Sequence, residues 1–312
     1  MNTGFRISVA IPIYNEEQVV LELLRRVRIV LDEIPGGPHE MVLVDDGSSD
    51  RTFEIVTEAA TEDPRIVAIS LSRNFGHQSA VSAALDNVTG DAVVVMDGDL
   101  QDSPEVIRDF IREYNRGFDV VYAQRIGRKE GWLLRSCYFL FYRLLALFSS
   151  LRLPLDAGDF ALLSRRVIDE LRRLPEHHRY LRGLRAWVGF RQTGILVKRS
   201  ERFSGKSKYS FIKLLGLAFD GIFAFSIVPL RVATIFGLFT ILCSVVYAAY
   251  STYVRVILGE SPPGFTALIV VMTFLSGVQL LFLGVIGEYL GRVYEETKGR
   301  PHYIVGKIVG RC

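Results

Sequence analysis

Residues 91–104 read DAVVVMDGDLQDSP, and this stretch decides the fold. Asp91 to Met96 is a short, valine-rich, almost wholly apolar run, which fits a strand buried on both faces of a sheet. It runs straight into Asp97-Gly98-Asp99. Two carboxylates one residue apart at a strand end can share a hard divalent cation, which prefers oxygen ligands and commonly bridges a protein to phosphates. Gln101 offers a neutral oxygen two residues on. A bare D-x-D also arises by chance as a solvated acidic turn, so its place after an apolar strand is what gives it weight.

The same pattern repeats upstream. Residues 6–13 (RISVAIPI) read as a buried strand, followed by Tyr14-Asn15-Glu16-Glu17. An apolar pattern at Val19, Val20, Leu23, Leu24, Val27 and Leu31 then predicts an amphipathic helix, with Asn15 as its N-cap and acids in its first turn. Residues 40–44 (EMVLV) form a second strand, ending in Asp45-Asp46-Gly47-Ser48-Ser49-Asp50, with a helix over 51–61 that one of Ser48, Ser49 or Asp50 would cap. A strand at 66–71, a helix at 76–87, a helix at 104–116 and a strand at 118–123 complete the series. Four strand–helix units with nearly continuous apolar strands predict an α/β fold whose parallel sheet is covered on both faces. Such sheets bind ligands beyond the carboxyl ends of their strands, where all three polar clusters fall.

The chain has 312 residues, of which 37 are Lys or Arg and 34 are Asp or Glu. The net charge of +3 is too balanced for a generic nucleic-acid binder. Mean hydropathy is nevertheless +0.26, so apolar residues must be concentrated somewhere. Val232–Val254 and Ser261–Gly287 contain no Asp, Glu, Lys or Arg over 23 and 27 residues. Each exceeds the roughly 20 helical residues that cross a hydrocarbon core. Basic residues follow the second run (Arg292, Lys298, Arg300, Lys307, Arg311), and the loop between the runs is short. This predicts both termini and the main body in the cytosol. Cys137, Cys243 and Cys312 show no paired spacing, so neither a disulfide framework nor a zinc site is expected. The N-terminal apolar run is broken by Arg6, Pro12 and Asn15, unlike a signal peptide.

Residues 132–151 and 208–226 are rich in aromatics but carry scattered charges, which suits helices lying at a membrane surface or buried in the body. Between them, Asp156-Ala157-Gly158-Asp159-Phe160 reads either as a substrate-facing acidic turn or as the cap of a helix at 164–174. Lys198, Arg199, Arg202, Lys206, Lys208 and Lys213 form a basic segment suited to anionic lipid or to phosphate groups, which Arg125 and Arg128 could join. His77, His177, His178 and His302 lack metal-ligand spacing and read as surface or supporting residues. No G-x-G-x-x-G follows the first strand, and no Walker A or G-x-S-x-G motif is present, which removes the main support for a dinucleotide oxidoreductase, a P-loop NTPase and a nucleophilic hydrolase.

Taken together, Val9–Glu17, Val44–Thr52, Met96–Pro104, Arg202–Tyr209 and the two apolar runs resemble the polyprenyl-phosphate glycosyltransferases. These are inverting family 2 enzymes of GT-A fold, a group that includes dolichol-phosphate mannose synthases and the bactoprenol glucosyltransferases (GtrB). The resemblance implies a Rossmann-like mixed sheet in a catalytic domain over 1–205. It further implies a juxtamembrane helix over 206–228, two transmembrane helices (about 231–255 and 265–288, within 229–291) and a cytosolic tail over 292–312. It implies that Pro12, Tyr14, Asn15, Glu16, Val44, Asp46, Asp97, Gly98 and Asp99 hold a nucleotide sugar. Asp97, Asp99 and Gln101 would surround Mg2+ or Mn2+, and Arg125, Arg128, Arg202, Lys206 and Lys208 would meet donor or acceptor phosphates. Asp156, Asp159 and Arg125 would lie at the reacting sugar. The implied activity is transfer of a hexose, glucose from UDP-glucose, to undecaprenyl phosphate at a bacterial inner membrane. GDP-mannose is the alternative donor, and a non-catalytic scaffold or flippase partner is the alternative function. A processive synthase would need a Q-x-x-R-W element, which Arg182–Trp187 matches only faintly, and more spans. Glycines at 277, 284, 287 and 291 would let helices approach closely, between protomers or within one chain.

Overall fold

A computed structural model describes residues 4–126, 157–176, 179–198, 228–257 and 264–310. These fall into two compact units, one of 4–126, 157–176, 179–198 and 300–310, the other of 228–257 and 264–299.

The first unit is built on one eight-stranded sheet. Its strands are β1 (Ile7–Ile13), β2 (Glu40–Asp45), β3 (Ile66–Leu71), β4 (Ala92–Val95), β5 (Val120–Ile126), β6 (Ala157–Ser164), β7 (Gln192–Lys198) and β8 (Val305–Val309). Its helices are α1 (Val20–Asp32), α2 (Thr52–Glu62), α3 (His77–Asn87), α4 (Ile107–Asn115), α5 (Arg165–Arg173) and α6 (Leu181–Trp187). The strand order is β7-β5-β6-β4-β1-β2-β3-β8. β4, β1, β2 and β3 are mutually parallel, as the repeated strand–helix pattern predicts. β6 runs antiparallel between β4 and β5, and β8 runs antiparallel along the outer edge of β3. The sheet is therefore mixed.

Every residue of β1 is buried, because alternate side chains serve opposite faces. Ile7, Val9, Ile11 and Ile13 join one core with Leu23, Leu24, Val27 and Leu31 of α1 and Ile107 and Phe110 of α4. Phe110 packs on Phe160 of β6 with ring centroids 4.7 Å apart and the rings tilted by 58°. On the other face α3 lies on β1 and β2. Its buried surface is largely alanine (Ala80, Ala83, Ala84), which lets the helix sit close to the sheet.

Three local expectations are corrected. Asn15 is not the cap of α1: it takes a left-handed φ of 55°, and the helix begins at Val20. Residues 157–160 are neither a turn nor a cap but the start of β6, because Phe160 and Leu162 are needed to complete the core. The stretch 292–312 is no simple tail: helix continues to Thr297 and Val305–Val309 returns to the sheet. The helices expected at 132–151 and 208–226 lie outside the described residues.

The second unit contains α7 (Val228–Ile257) and α8 (Phe265–Thr297). Ile235, Leu238, Leu242, Leu280 and Leu283 are each more than 60% exposed, so these helices present apolar side chains all round. Stretches of 27 and 30 residues are long and apolar enough to cross a bilayer. Phe236 meets Phe282 edge-on at 6.0 Å. The glycines at 277, 284, 287 and 291 face open space, so close packing within the described hairpin does not use them.

Candidate active site

Four loops leave the carboxyl ends of β1, β2, β3 and β4 and interlock. The β1 and β2 loops are laced together by hydrogen bonds. The Asn15 N–H donates to Ser48 Oγ (2.9 Å), the Ser49 N–H to Asn15 Oδ1 (2.9 Å) and the Glu16 N–H to Thr52 Oγ1 (2.8 Å). This explains the left-handed backbone at Asn15, a residue type that tolerates it. Asp50 accepts from the N–H groups of Thr52 and Glu17, so one acid closes both loops. Pro12 and Val44 are buried beneath this lacing, whereas Tyr14 is 48% exposed at its rim.

The paired aspartates after β2 divide the work of holding the turn. Asp45 accepts from the Ser48 N–H at 3.2 Å and from Ser70 Oγ at 3.4 Å. Asp46 accepts from the N–H groups of Phe75 (2.7 Å) and Gly76 (2.9 Å), which pins the loop between β3 and α3. Burial raises both carboxyls above the ordinary range, and these hydrogen bonds oppose the rise.

The D-G-D turn is held by shape. A Cβ on Gly98 would lie 2.7 Å from Ile13 Cγ2 and 3.1 Å from Pro12 O, so only glycine seats the turn against β1. Leu100 has φ 54°, a strained value for a bulky residue and the kind of outlier that clusters at functional sites. The Gln101 N–H donates to Asp99 Oδ1 at 3.1 Å, and the Gln101 side chain is buried. Asp97 Oδ1 is buried with no hydrogen-bond partner. An orphaned carboxylate oxygen beside a second carboxylate is a donor set that fits a hard divalent cation. Burial raises the Asp97 carboxyl; His77 opposes this, and Asp159 and Asp99 add to it.

Topology brings two further groups to Asp97. The antiparallel register pairs Val95 with Ala161, so two residues further out Asp97 lies opposite Asp159. Asp159 accepts two hydrogen bonds from Arg182, at 2.7 and 2.6 Å. Burial would raise its carboxyl, but this fork, assisted by His77 and Arg185, holds it below the ordinary range. Asp159 is therefore ionised and engaged, an anchor for Arg182 more than a free base. Behind it Arg185 is buried, its Nε without a partner, with burial pushing its guanidinium down to about 10. From the other side His77, the first residue of α3, places Nε2 3.6 Å from Asp97 Oδ1.

Arg182 is not expected as a site residue from the sequence, and His77 is expected there only as a surface or supporting residue. Only the arginine-rich Arg182–Trp187 segment carried any signal. Arg125 lies at the carboxyl end of β5, opposite Val197. Asp156, Arg128, Arg202, Lys206 and Lys208 fall outside the described residues.

The strand-end loops of this α/β sheet thus gather the carboxylates of Asp97 and Asp99 beside Asp159, the part-buried Arg182 and the buried Arg185. The chain belongs to glycosyl transferase family 2, whose model matches residues 8–172. The GtrB C-terminal hairpin model matches residues 228–293. It is 42% identical to the uncharacterized glycosyltransferase YkcC of Bacillus subtilis, covering 99% of this chain and 96% of the relative. It is 40% identical to the bactoprenol glucosyl transferase of Shigella phage SfX, covering 96% of this chain and 98% of the relative. A solved glucosyl-3-phosphoglycerate synthase from Mycobacterium tuberculosis covers 70% of this chain and 78% of its own, at 18% identity and a TM-score of 0.48, too faint a likeness to bear on the chemistry. The protein is a family 2 glycosyltransferase.

Proposed function

We propose that this glycosyltransferase moves glucose from UDP-glucose to undecaprenyl phosphate, with inversion at the anomeric carbon. The extent of the relation carries the reading: the likeness to a bactoprenol glucosyl transferase runs through both the sheet and the helical hairpin, over 301 residues.

In this reading the laced loops bearing Pro12, Tyr14, Asn15, Glu16, Val44 and Asp46 hold the nucleoside. Asp97 and Asp99, with Gln101 beside them, would hold Mg2+ or Mn2+, whose role when bound is to neutralise charge on the departing diphosphate. The attacking group is a phosphate monoester with a second pKa near ~6, so its oxygen is already anionic at pH 7 and needs no strong base. The protein's task is then positioning. Arg182, held rigid by Asp159, meets a phosphate, as do Arg125, Arg128, Arg202, Lys206 and Lys208. Asp156 orients the sugar. The hairpin anchors the enzyme in a bacterial inner membrane where such a lipid presents its headgroup, with the sheet on the cytosolic side.

The test is transfer of radiolabelled sugar to undecaprenyl phosphate by the purified full chain in detergent, with Mn2+ or Mg2+, across a panel of nucleotide sugars. Labelled lipid is expected from UDP-glucose. Labelling from GDP-mannose alone would replace the donor, and none from any donor would reject catalysis in favour of a scaffold.

A further inference from the structure

The last described strand does more than close the sheet. After α8 ends at Thr297, the chain returns through Tyr303 and Ile304 into β8, which pairs with β3. Three contacts of this returning segment fall on the end of β3, on the first residue after it and on α3. The Ile304 carbonyl accepts from the Ser72 N–H at 2.9 Å, at the point where the loop leaves β3. Gly306 packs its backbone on Ser70 and Ser72, where a Cβ would lie 3.4 to 3.5 Å away. The Tyr303 hydroxyl donates to Asp86 Oδ2 at 2.8 Å, in the last turn of α3. Asp46 holds the same loop from its other side through Phe75 and Gly76. The first residue after this loop is His77, which faces the orphaned Asp97 Oδ1 at 3.6 Å. That separation is too long for a direct hydrogen bond, so the imidazole acts by where it is held.

We propose that Tyr303–Val309 is a positioning element of the metal site: it grips the 72–76 loop and α3 so that His77 is fixed against Asp97. Three contacts within one segment, one on the last turn of the 11-residue helix and two on the chain where it leaves β3 ahead of that helix, make a short lever. A displacement of β8 moves the loop, and the loop carries the only histidine beside the D-G-D turn among the described residues. His77 and Tyr303 are positioning residues; neither need touch the sugar. The inference rests on the glycosyltransferase reading only for the identity of the ion.

The experiment measures Mn2+ binding alone, with neither sugar nor lipid, by the electron paramagnetic resonance signal of free Mn2+ over the full chain in detergent. Unfolding midpoints are recorded in parallel. Partners that orient metal ligands are worth about 10-fold or more in metal affinity, so His77→Ala is expected to weaken Mn2+ by about 10-fold. Tyr303→Phe removes one hydrogen bond and is expected to weaken Mn2+ binding by about 3-fold, with the chain folded and its midpoint only slightly lowered. Gly306→Val, whose methyls press on Ser72, is expected to act in the same direction, and Gly306→Ala is expected to have no effect. The deciding measurement is the double variant. If β8 acts through His77, Tyr303→Phe has no further effect on Mn2+ affinity once His77 is alanine. Full additivity would overturn the proposal, as would Mn2+ affinity unchanged in both Tyr303→Phe and Gly306→Val, or a wild-type chain that binds no Mn2+. Because transfer is assayed separately, a protein that binds Mn2+ with this coupling yet transfers no glucose would reject the proposed donor or acceptor and leave the positioning role intact.

Discussion

Gly98 shows how narrowly the turn is specified. Its missing side chain is what lets Asp97 and Asp99 sit over the end of β1. Gly98→Ala brings a methyl to 2.7 Å from Ile13, closer than packed carbons approach, so the turn must move. The expected result is loss of Mn2+ binding and of transfer by at least ~10-fold, of the order a misplaced catalytic group costs. The unfolding midpoint falls little, because strand β4 itself is untouched. A different outcome is expected at Asp159. Replacing it with Asn leaves Arg182 without its carboxylate and Arg185 without a nearby anion. Breaking a fully buried pair costs about 3 kcal/mol or more, and this pair is part-buried, so the expected cost is smaller, on the order of 1–2 kcal/mol. Asp159→Asn should therefore lower the midpoint of chemical unfolding, whereas a general base would lose kcat at unchanged stability. Asp45, Asp46, Asp97 and Asp99 were legible in the sequence because each pair ends an apolar strand. His77 and Arg182 were not, because they reach Asp97 only through the crossover from β3 to β4 and the antiparallel insertion of β6. Neither leaves a spacing signature along the chain.

Elements were legible where their periodicity was strong and their contacts local. β1 to β5 and α1 to α4 fall close to the predicted bounds, since alternating burial and a helical apolar stripe both survive translation into sequence. β6 begins Ala-Gly-Asp and so reads as a turn. β7 and β8 are edge strands, and in β8 Val305 and Val309 are half-buried while the residues between are exposed. Their pairing is set by distant partners. One clamp between elements carries a pH prediction. Arg26 of α1 holds Glu105, at 2.6 Å, just beyond the D-G-D turn. Burial would raise the Glu105 carboxyl, but the Arg26 and Ser103 hydrogen bonds lower it to about 2. A folded pKa below the unfolded value means the unfolded chain binds the extra proton. The clamp's contribution is thus fully present above about pH 4.5 and is lost as pH falls toward 2. Glu105→Gln should flatten the fall in stability over that window, by less than about 1 kcal/mol because the pair is partly solvated. Urea midpoints measured from pH 5 to 2.5 read this directly; equal slopes for the two proteins would show the clamp to be idle.

At the scale of the whole molecule, the order of strands constrains how the chain meets the bilayer. β7 precedes the helical hairpin and β8 follows it, yet both belong to one hydrogen-bonded sheet. A continuous sheet cannot be divided by a hydrocarbon layer, since its backbone groups would be left unsatisfied. We predict that α7 and α8, each long and apolar enough to span, both cross the bilayer, an even number of crossings that keeps β7 and β8 on one side. Mean hydropathy alone shows only an excess of apolar residues; the pairing of β8 with β3 adds the requirement that the strands before and after the hairpin share one side of any membrane. The basic residues after the second apolar run, Arg292, Lys298 and Arg300 among them, then favour the cytosol for that side. Cysteine labelling tests this in a background lacking Cys137, Cys243 and Cys312. A cysteine at Ser261, in the short connection between the helices, should react with a membrane-impermeant thiol reagent added to intact cells. Cysteines at Ser49 or Lys307 should react only after the membrane is opened. Labelling of Lys307→Cys but not Ser49→Cys in intact cells would mean an odd number of crossings, which is incompatible with β8 pairing to β3. Labelling of both from outside would keep the sheet whole and invert the orientation.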